Sequence, residues 1–199
     1  MWLGSYEPEI QRKLMTYDLR GKIALDIGAN VGFYSLLFSR LVGENGRVMA
    51  FEPLPRNIMY LRKHLQLNKI ANVEIYECAI ADRDGVFSFD TSKHNAQARI
   101  TERGNINVQA RSLDSIEREV DRAVALLKID VEGAEILVLN GGKEFIRKHR
   151  PAILLSTHGQ KQVIQTQMLS AELTYSMAPL SEKVCGANPN DEWILLPSF

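Results

Sequence analysis

The string Asp26-Ile27-Gly28-Ala29-Asn30-Val31-Gly32 sets one carboxylate and two glycines between an apolar run and an amphipathic one. Glycine lets the backbone turn tightly and pass close to a ligand. Glu52 follows the next apolar run, 20 residues beyond Gly32, where a carboxylate can accept hydrogen bonds from both hydroxyls of a ribose. Alone it would read as a solvated loop charge, and its pairing with the first string raises it above that. Ala79-Ile80-Ala81-Asp82 offers small apolar side chains able to border an adenine. The plainer account makes Ile80 core and Asp82 the start of a turn. Asp130 and Glu132 form a further acidic pair. They could orient an acceptor hydroxyl, act as general base, or bind a divalent cation with Glu135. Ion pairing with Lys128 and with a helix N-terminus is the structural alternative. His158 is the one histidine of four expected at a carboxyl end of the sheet, suited to take a hydroxyl proton near neutral pH. An incidental loop histidine would read the same way.

The glycine spacing is G-x-N-x-G, not the G-x-G-x-x-G with which a helix N-terminus cradles a pyrophosphate. A nicotinamide dinucleotide is thereby disfavoured. S-adenosylmethionine has no phosphate to cradle and needs room for its methionine moiety and an acceptor for its ammonium. Asp26 can supply that acceptor, directly or through water, while Gly28 and Gly32 clear the path.

Short β-branched runs alternate with amphipathic stretches, the pattern of a parallel sheet covered by helices on both faces. Strands are expected at Lys22–Ile27, Arg47–Phe51, Val73–Glu77, Ala125–Ile129, Ala152–Ser156, Tyr175–Ala178 and Trp193–Leu196. Helices are expected at Phe33–Leu41, from Pro55 to a stop at Asn68, at Ala134–Leu139, at Lys143–His149 and at Gln160–Leu169. Val86–Phe89 and Ile106–Ala110 read as antiparallel additions, and Asp114 with Glu117 as a capping box. The fold class is α/β: a doubly wound, mostly parallel seven-stranded sheet with a β-rich insertion before the fourth core strand. In such sheets the ligand lies outside the carboxyl ends of the strands, where all the groups named above fall.

A chain of 199 residues, 45% hydrophobic, suits a single domain spanning 1–199, with 1–20 as a lead-in. Lys and Arg total 24 and Asp and Glu total 24. There is thus no strong nucleic-acid signal, nor a field to hold an anionic membrane. No apolar run approaches a membrane span and no leader pattern opens the chain, so a cytoplasmic protein is expected. Cys78 and Cys185 read as free thiols, and no Cys or His pair stands at metal-ligand spacing.

Taken together the motifs resemble the FkbM family of S-adenosylmethionine-dependent methyltransferases, whose members mostly methylate hydroxyl groups. The likeness runs through Gly4-Ser5-Tyr6-Glu7, Asp26 to Gly32 with Phe33-Tyr34-Ser35, Phe51-Glu52-Pro53, Ala79 to Asp82, Ser112-Leu113-Asp114, and Leu127-Lys128-Ile129-Asp130-Val131-Glu132-Gly133-Ala134-Glu135. The last string is the most specific. The resemblance implies a class I, Rossmann-like methyltransferase fold. It implies that Asp26, Gly28, Asn30, Gly32 and Glu52 bind the cofactor, with Phe33, Ala79 and Ile80 beside them. It also implies that Asp130 and Glu132 face the methyl-transfer site and that Glu7 closes over it. The chain departs from the family where Glu-Ile-His tends to follow the fifth strand: Ser156-Thr157-His158 loses the carboxylate and keeps the imidazole. The acceptor is then a small molecule or carbohydrate, held by loops, with 83–111 (including Lys93, His94, Asn95 and Arg99) as the candidate cover. A plain hairpin with a solvated loop accounts for that segment too. Two rival functions stand: a non-catalytic domain that keeps the cofactor pocket, and an NAD-type dehydrogenase.

Overall fold

The computed structural model describes residues 8–94, 97–101, 104–180 and 190–198. Glu7, Asn95 and Cys185 lie outside them. In chain order the elements are α1 (Pro8–Leu14), β1 (Ile23–Ile27), α2 (Phe33–Val42), β2 (Arg47–Phe51), α3 (Pro55–Leu67), β3 (Val73–Tyr76), β4 (Ala79–Ile80), β5 (Gly85–His94), β6 (Gln97–Ile100), β7 (Ile106–Arg111), α4 (Leu113–Ile116), β8 (Val124–Ile129), α5 (Glu135–Asn140), α6 (Lys143–His149), β9 (Ala152–His158), α7 (Gln160–Glu172), β10 (Tyr175–Pro179) and β11 (Asn190–Pro197). Seven strands form one sheet in the order β10-β11-β9-β8-β1-β2-β3, and β4-β7-β5-β6 form a second. Contacts from β3 through β9 are parallel, and only β11 runs against its two neighbours. The doubly wound sheet and the β-rich insertion are both as the alternation predicts.

Successive strand residues point to opposite faces, and β1 shows what that does here. Ile23, Leu25 and Ile27 enter the core built with α4, α5, α6 and α7, while Ala24 faces α1 and α2. Asp26 therefore also faces α2, at the carboxyl end of its strand. In β8, Leu127 and Ile129 join the first core and Leu126 the second, which turns Lys128 to the same side as Asp26. The parallel register then pairs Asp26 with Lys128 directly. Two charged side chains thus meet inside an otherwise apolar layer because the strand period allows them no other face.

Two expectations need correction. The cap of α4 is Ser112, whose hydroxyl accepts from the Ser115 N–H at 3.2 Å. The Asp114 carboxylate instead accepts from the Phe145 N–H at 2.8 Å, tying α4 to α6, and Glu117 pairs with Lys148 and His149. A tertiary contact has taken the group that a local box would have used. The insertion is also more extended than two short additions. β5 runs through the polar Asp90–His94 stretch and pairs with β6 as well as β7. Its inner face, Phe87 and Phe89 with Val108 and Ala110, packs on Ala79 and Ala81.

Candidate active site

A cavity of about 290 Å³ opens at the carboxyl ends of β1, β2 and β8. Its floor is the turn from β1 into α2. Gly28 there has φ +82°, and a Cβ on it would stand 1.9 Å from the Asp130 carbonyl oxygen. Only glycine lets this turn pass the end of β8 so closely. Gly32, at φ +94°, takes a left-handed conformation that strains any side chain, and a Cβ there would also press on Leu61 Cδ1 at 2.3 Å. It seats α2 against α3 and is not among the cavity-lining residues.

Asp26 is 1% exposed. Its Oδ2 accepts from the Ser35 hydroxyl at 2.6 Å, and its Oδ1, also buried, meets no donor among the described residues. Burial raises its pKa above the ordinary carboxylate value, with Lys128 and Ser35 pulling the other way. A buried carboxylate oxygen without a donor, on a cavity wall, is suited to an ammonium group.

Glu52 is 4% exposed. Its Oε2 accepts from the Asn30 N–H at 2.8 Å; its Oε1 accepts from the Leu54 N–H at 2.9 Å and from the Asn57 amide at 3.1 Å. Burial raises its pKa and these three donors counter the rise. Asn30 holds its N–H in place from a left-handed conformation, φ +50°. Since an ionised carboxylate offers about four acceptor positions, Oε2 keeps capacity toward the cavity. Phe33, Ala79 and Ile80 also line it, as does Phe89 from β5, the one residue among the described ones that the insertion contributes to the wall.

Lys128, 3% exposed, joins the two halves of the site. Its ammonium lies 3.0 Å from Asp130 Oδ2 and 4.4 Å from the centre of the Tyr34 ring. Burial lowers its pKa, but Asp130, Asp26 and Glu192 together outweigh that and the net shift is upward. It is therefore a fixed positive charge between two carboxylates.

Beyond it, Asp130 and Glu132 line the cavity and His158, the last residue of β9, stands beside them. Glu132 takes a left-handed conformation, φ +51°, in the turn before α5. His158 Nε2 is 3.4 Å from Glu132 Oε2, and its Nδ1 is 3.0 Å from Glu135 Oε1. Glu135 is wholly buried; the same oxygen accepts from the Gly133 N–H at 3.0 Å. The Glu135 hydrogen bond raises the His158 pKa most; burial opposes it, and the charges of Glu135, Glu132 and Asp130 add to the rise. Gln162 accepts from the His158 N–H at 2.7 Å and donates to the Gly133 carbonyl at 2.9 Å, bracing both loops.

Asn57 was not singled out by sequence reasoning; it lies in the first turn of α3, and the signal was a polar residue on the inward face of that helix. The ion pair of Lys128 with Asp130, expected as the structural alternative, is present at 3.0 Å. Glu135, considered as a cation ligand beside Asp130 and Glu132, instead lies wholly buried behind His158. His64 had no apparent placement, yet its Nδ1 meets the Val31 carbonyl at 2.7 Å and braces the first turn.

The family described as the Methyltransferase FkbM domain matches residues 26–179, a span that contains both halves of the site. The 2-O-methyltransferase NoeI of Sinorhizobium fredii (strain NBRC 101917 / NGR234) is 29% identical, over 64% of this chain and 60% of that protein. The chain spans about three fifths of the length of the curated relatives it matches. Among solved structures, the methyltransferase FkbM of Methylobacillus flagellatus KT superposes with a TM-score of 0.65 at 18% identity, over 90% of this chain and 44% of that one. A Streptococcus mutans protein named as a methyltransferase, crystallised with SAH, gives 0.63 at 11% identity, over 98% of each chain. The fold is the class I methyltransferase fold, and the chain belongs to the FkbM methyltransferase domain family.

Proposed function

We propose that the protein is an S-adenosylmethionine-dependent methyltransferase acting on a hydroxyl group of a small-molecule or carbohydrate acceptor. The observation that carries the reading is the pair of buried carboxylates on one cavity wall, Asp26 with an oxygen that lacks a donor and Glu52 with acceptor capacity left. These are the groups that an ammonium and a ribose require. When bound, the cofactor supplies an electrophilic methyl group on a sulfonium sulfur. Asp26 receives the ammonium, Glu52 the ribose hydroxyls, and Ala79, Ile80 and Phe89 border the adenine. The relative named a 2-O-methyltransferase favours oxygen as the acceptor atom.

At the open end, Asp130, Glu132 and His158 face the space where an acceptor oxygen must stand in line with the methyl group. Alignment is the larger contribution, since the reaction needs one oxygen held in place and a route for one proton. Asp130 or His158 would take the proton of an acceptor hydroxyl held there as its oxygen received the methyl group that the cofactor would supply. No helix among the described residues is long and apolar enough to cross a membrane.

Calorimetric titration of S-adenosylhomocysteine into the purified protein and into Glu52→Ala tests the reading. Saturable binding that the substitution weakens is expected. A folded protein that binds none would overturn it.

A further inference from the structure

We propose that Asp130, Glu132 and His158 form a binding site for a divalent cation of the Mn²⁺ or Mg²⁺ class, which anchors the acceptor hydroxyl beside the cofactor. The role given to the cation rests on the methyltransferase reading; its binding does not.

Each of the three residues offers a ligand atom, and these atoms lie within 4.8 Å of one another. The His158 Nε2 to Glu132 Oε2 separation of 3.4 Å is too long for the charge-assisted hydrogen bond that an imidazolium and a carboxylate would form, which runs to about 2.9 Å. A separation of 3.4 Å falls within the span open to two ligands of one octahedral ion, whose donor atoms, each about 2.1 Å from the metal, stand about 3.0 Å apart at a right angle and about 4.2 Å apart when opposite.

The group behind the imidazole points the same way. Glu135 is fully buried, one oxygen facing His158 Nδ1 and the other without a donor among the described residues. With Nδ1 donating to that carboxylate, Nε2 presents its lone pair to Asp130 and Glu132. A buried carboxylate behind the ring is how ligating histidines are oriented and made more basic.

Charge adds a third reason. Three carboxylates surround one imidazole, and the Lys128 ammonium that reaches Asp130 is shared with Asp26. A divalent ion bound there would add positive charge among these carboxylates. Two carboxylates and one imidazole suit manganese or magnesium better than a soft metal. Side-chain exposures of 34% for Asp130 and 21% for Glu132 leave the trio open to the cavity. Three protein ligands leave coordination positions free, so the acceptor class that fits is a polyol or sugar whose neighbouring hydroxyls can occupy two of them. His158 is then a ligand, and the proton of the reacting hydroxyl passes to a carboxylate oxygen that the ion does not use.

The test is calorimetric titration of MnCl₂ into metal-stripped protein, repeated on Glu132→Gln, His158→Ala and Glu135→Gln, with S-adenosylhomocysteine titrated into each. One Mn²⁺ per chain is expected, bound at least about tenfold more weakly by each variant, while homocysteine-ligand affinity stays within a few fold. The Glu135→Gln result shows the buried carboxylate acting through the ring. No saturable Mn²⁺ binding by the parent protein, or binding that the substitutions leave unchanged, overturns the proposal. Mn²⁺ binding by a protein that ignores the homocysteine ligand upholds the cation site and sinks the methyltransferase reading instead.

Discussion

At the ends of β1 and β2 the carboxylates are almost wholly buried and each is gripped by its own protein donors, Ser35 for Asp26 and Asn30, Leu54 and Asn57 for Glu52. At the ends of β8 and β9, Asp130 and Glu132 stay partly open beside the His158 imidazole, with Lys128 donating to Asp130. The first region is held in position before any ligand arrives, with Asp26 Oδ1 left to receive it, as a reader of one fixed cofactor should be. The second is held in shape from behind, by Glu135 and Gln162, while its front is left to exchange. Lys128 and the Gly28 turn belong to both.

The sharpest way to break this division is Asp130→Asn. A group that moves or positions the reacting proton contributes about 10²- to 10⁴-fold. Transfer of radiolabelled methyl from S-adenosylmethionine to a panel of hydroxylated acceptors should therefore fall by at least about 100-fold, with S-adenosylhomocysteine affinity within a few fold of the parent. A large loss of cofactor affinity would move Asp130 into the first region and erase the boundary. Glu52→Ala should give the reverse pattern, since a hydrogen bond to a charged group is worth about 1.5–3 kcal/mol, or roughly 10- to 100-fold in affinity. Turnover at saturating cofactor should change far less.

Gly28→Ala tests whether the two regions depend on one turn. Its φ of +82° and the 1.9 Å approach to the Asp130 carbonyl mean that the turn or the end of β8 must shift. A side chain in the left-handed region costs about 1–2 kcal/mol before any clash is counted. A fall in the thermal midpoint of several degrees is expected, together with losses in both cofactor and Mn²⁺ binding. Loss of one alone would show that the regions are built independently.

The first region was legible in the sequence because its signals are local. Asp26, Gly28 and Gly32 lie within one turn, and Glu52 ends the very next strand. The second was legible in its members and not in its connections. Lys128 is the register partner of Asp26 across 102 residues of chain, and no spacing rule reaches that far. Glu135 stands three residues from Glu132, yet its burial depends on where β9 ends and brings His158. The alternation of apolar runs gave the seven-stranded sheet, whereas the polar half of β5 has no such alternation and is a strand only because β6 and β7 flank it. Asp114 was an acceptable cap by local rules, but the approach of α6 engaged its carboxylate and Ser112 caps α4 instead.

The smallest effect separates the regions most finely. Ser35 donates to Asp26 Oδ2 from inside α2 and reaches nothing at the open end of the cavity. Ser35→Ala removes one donor from a carboxylate that already has an oxygen without one, and burial then presses its pKa higher still. A weaker ammonium acceptor follows, because the neutral form of Asp26 holds a cation poorly. Ser35 touches the carboxylate and not the ligand, so only part of a hydrogen bond's worth reaches binding and affinity for S-adenosylhomocysteine should drop by about a few fold. The rate at saturating cofactor should be unchanged and Mn²⁺ affinity should be that of the parent protein. If instead the saturated rate fell and affinity held, Asp26 would be acting through Lys128 on Asp130, and the buried lysine would be a coupling between the two regions rather than a wall between them.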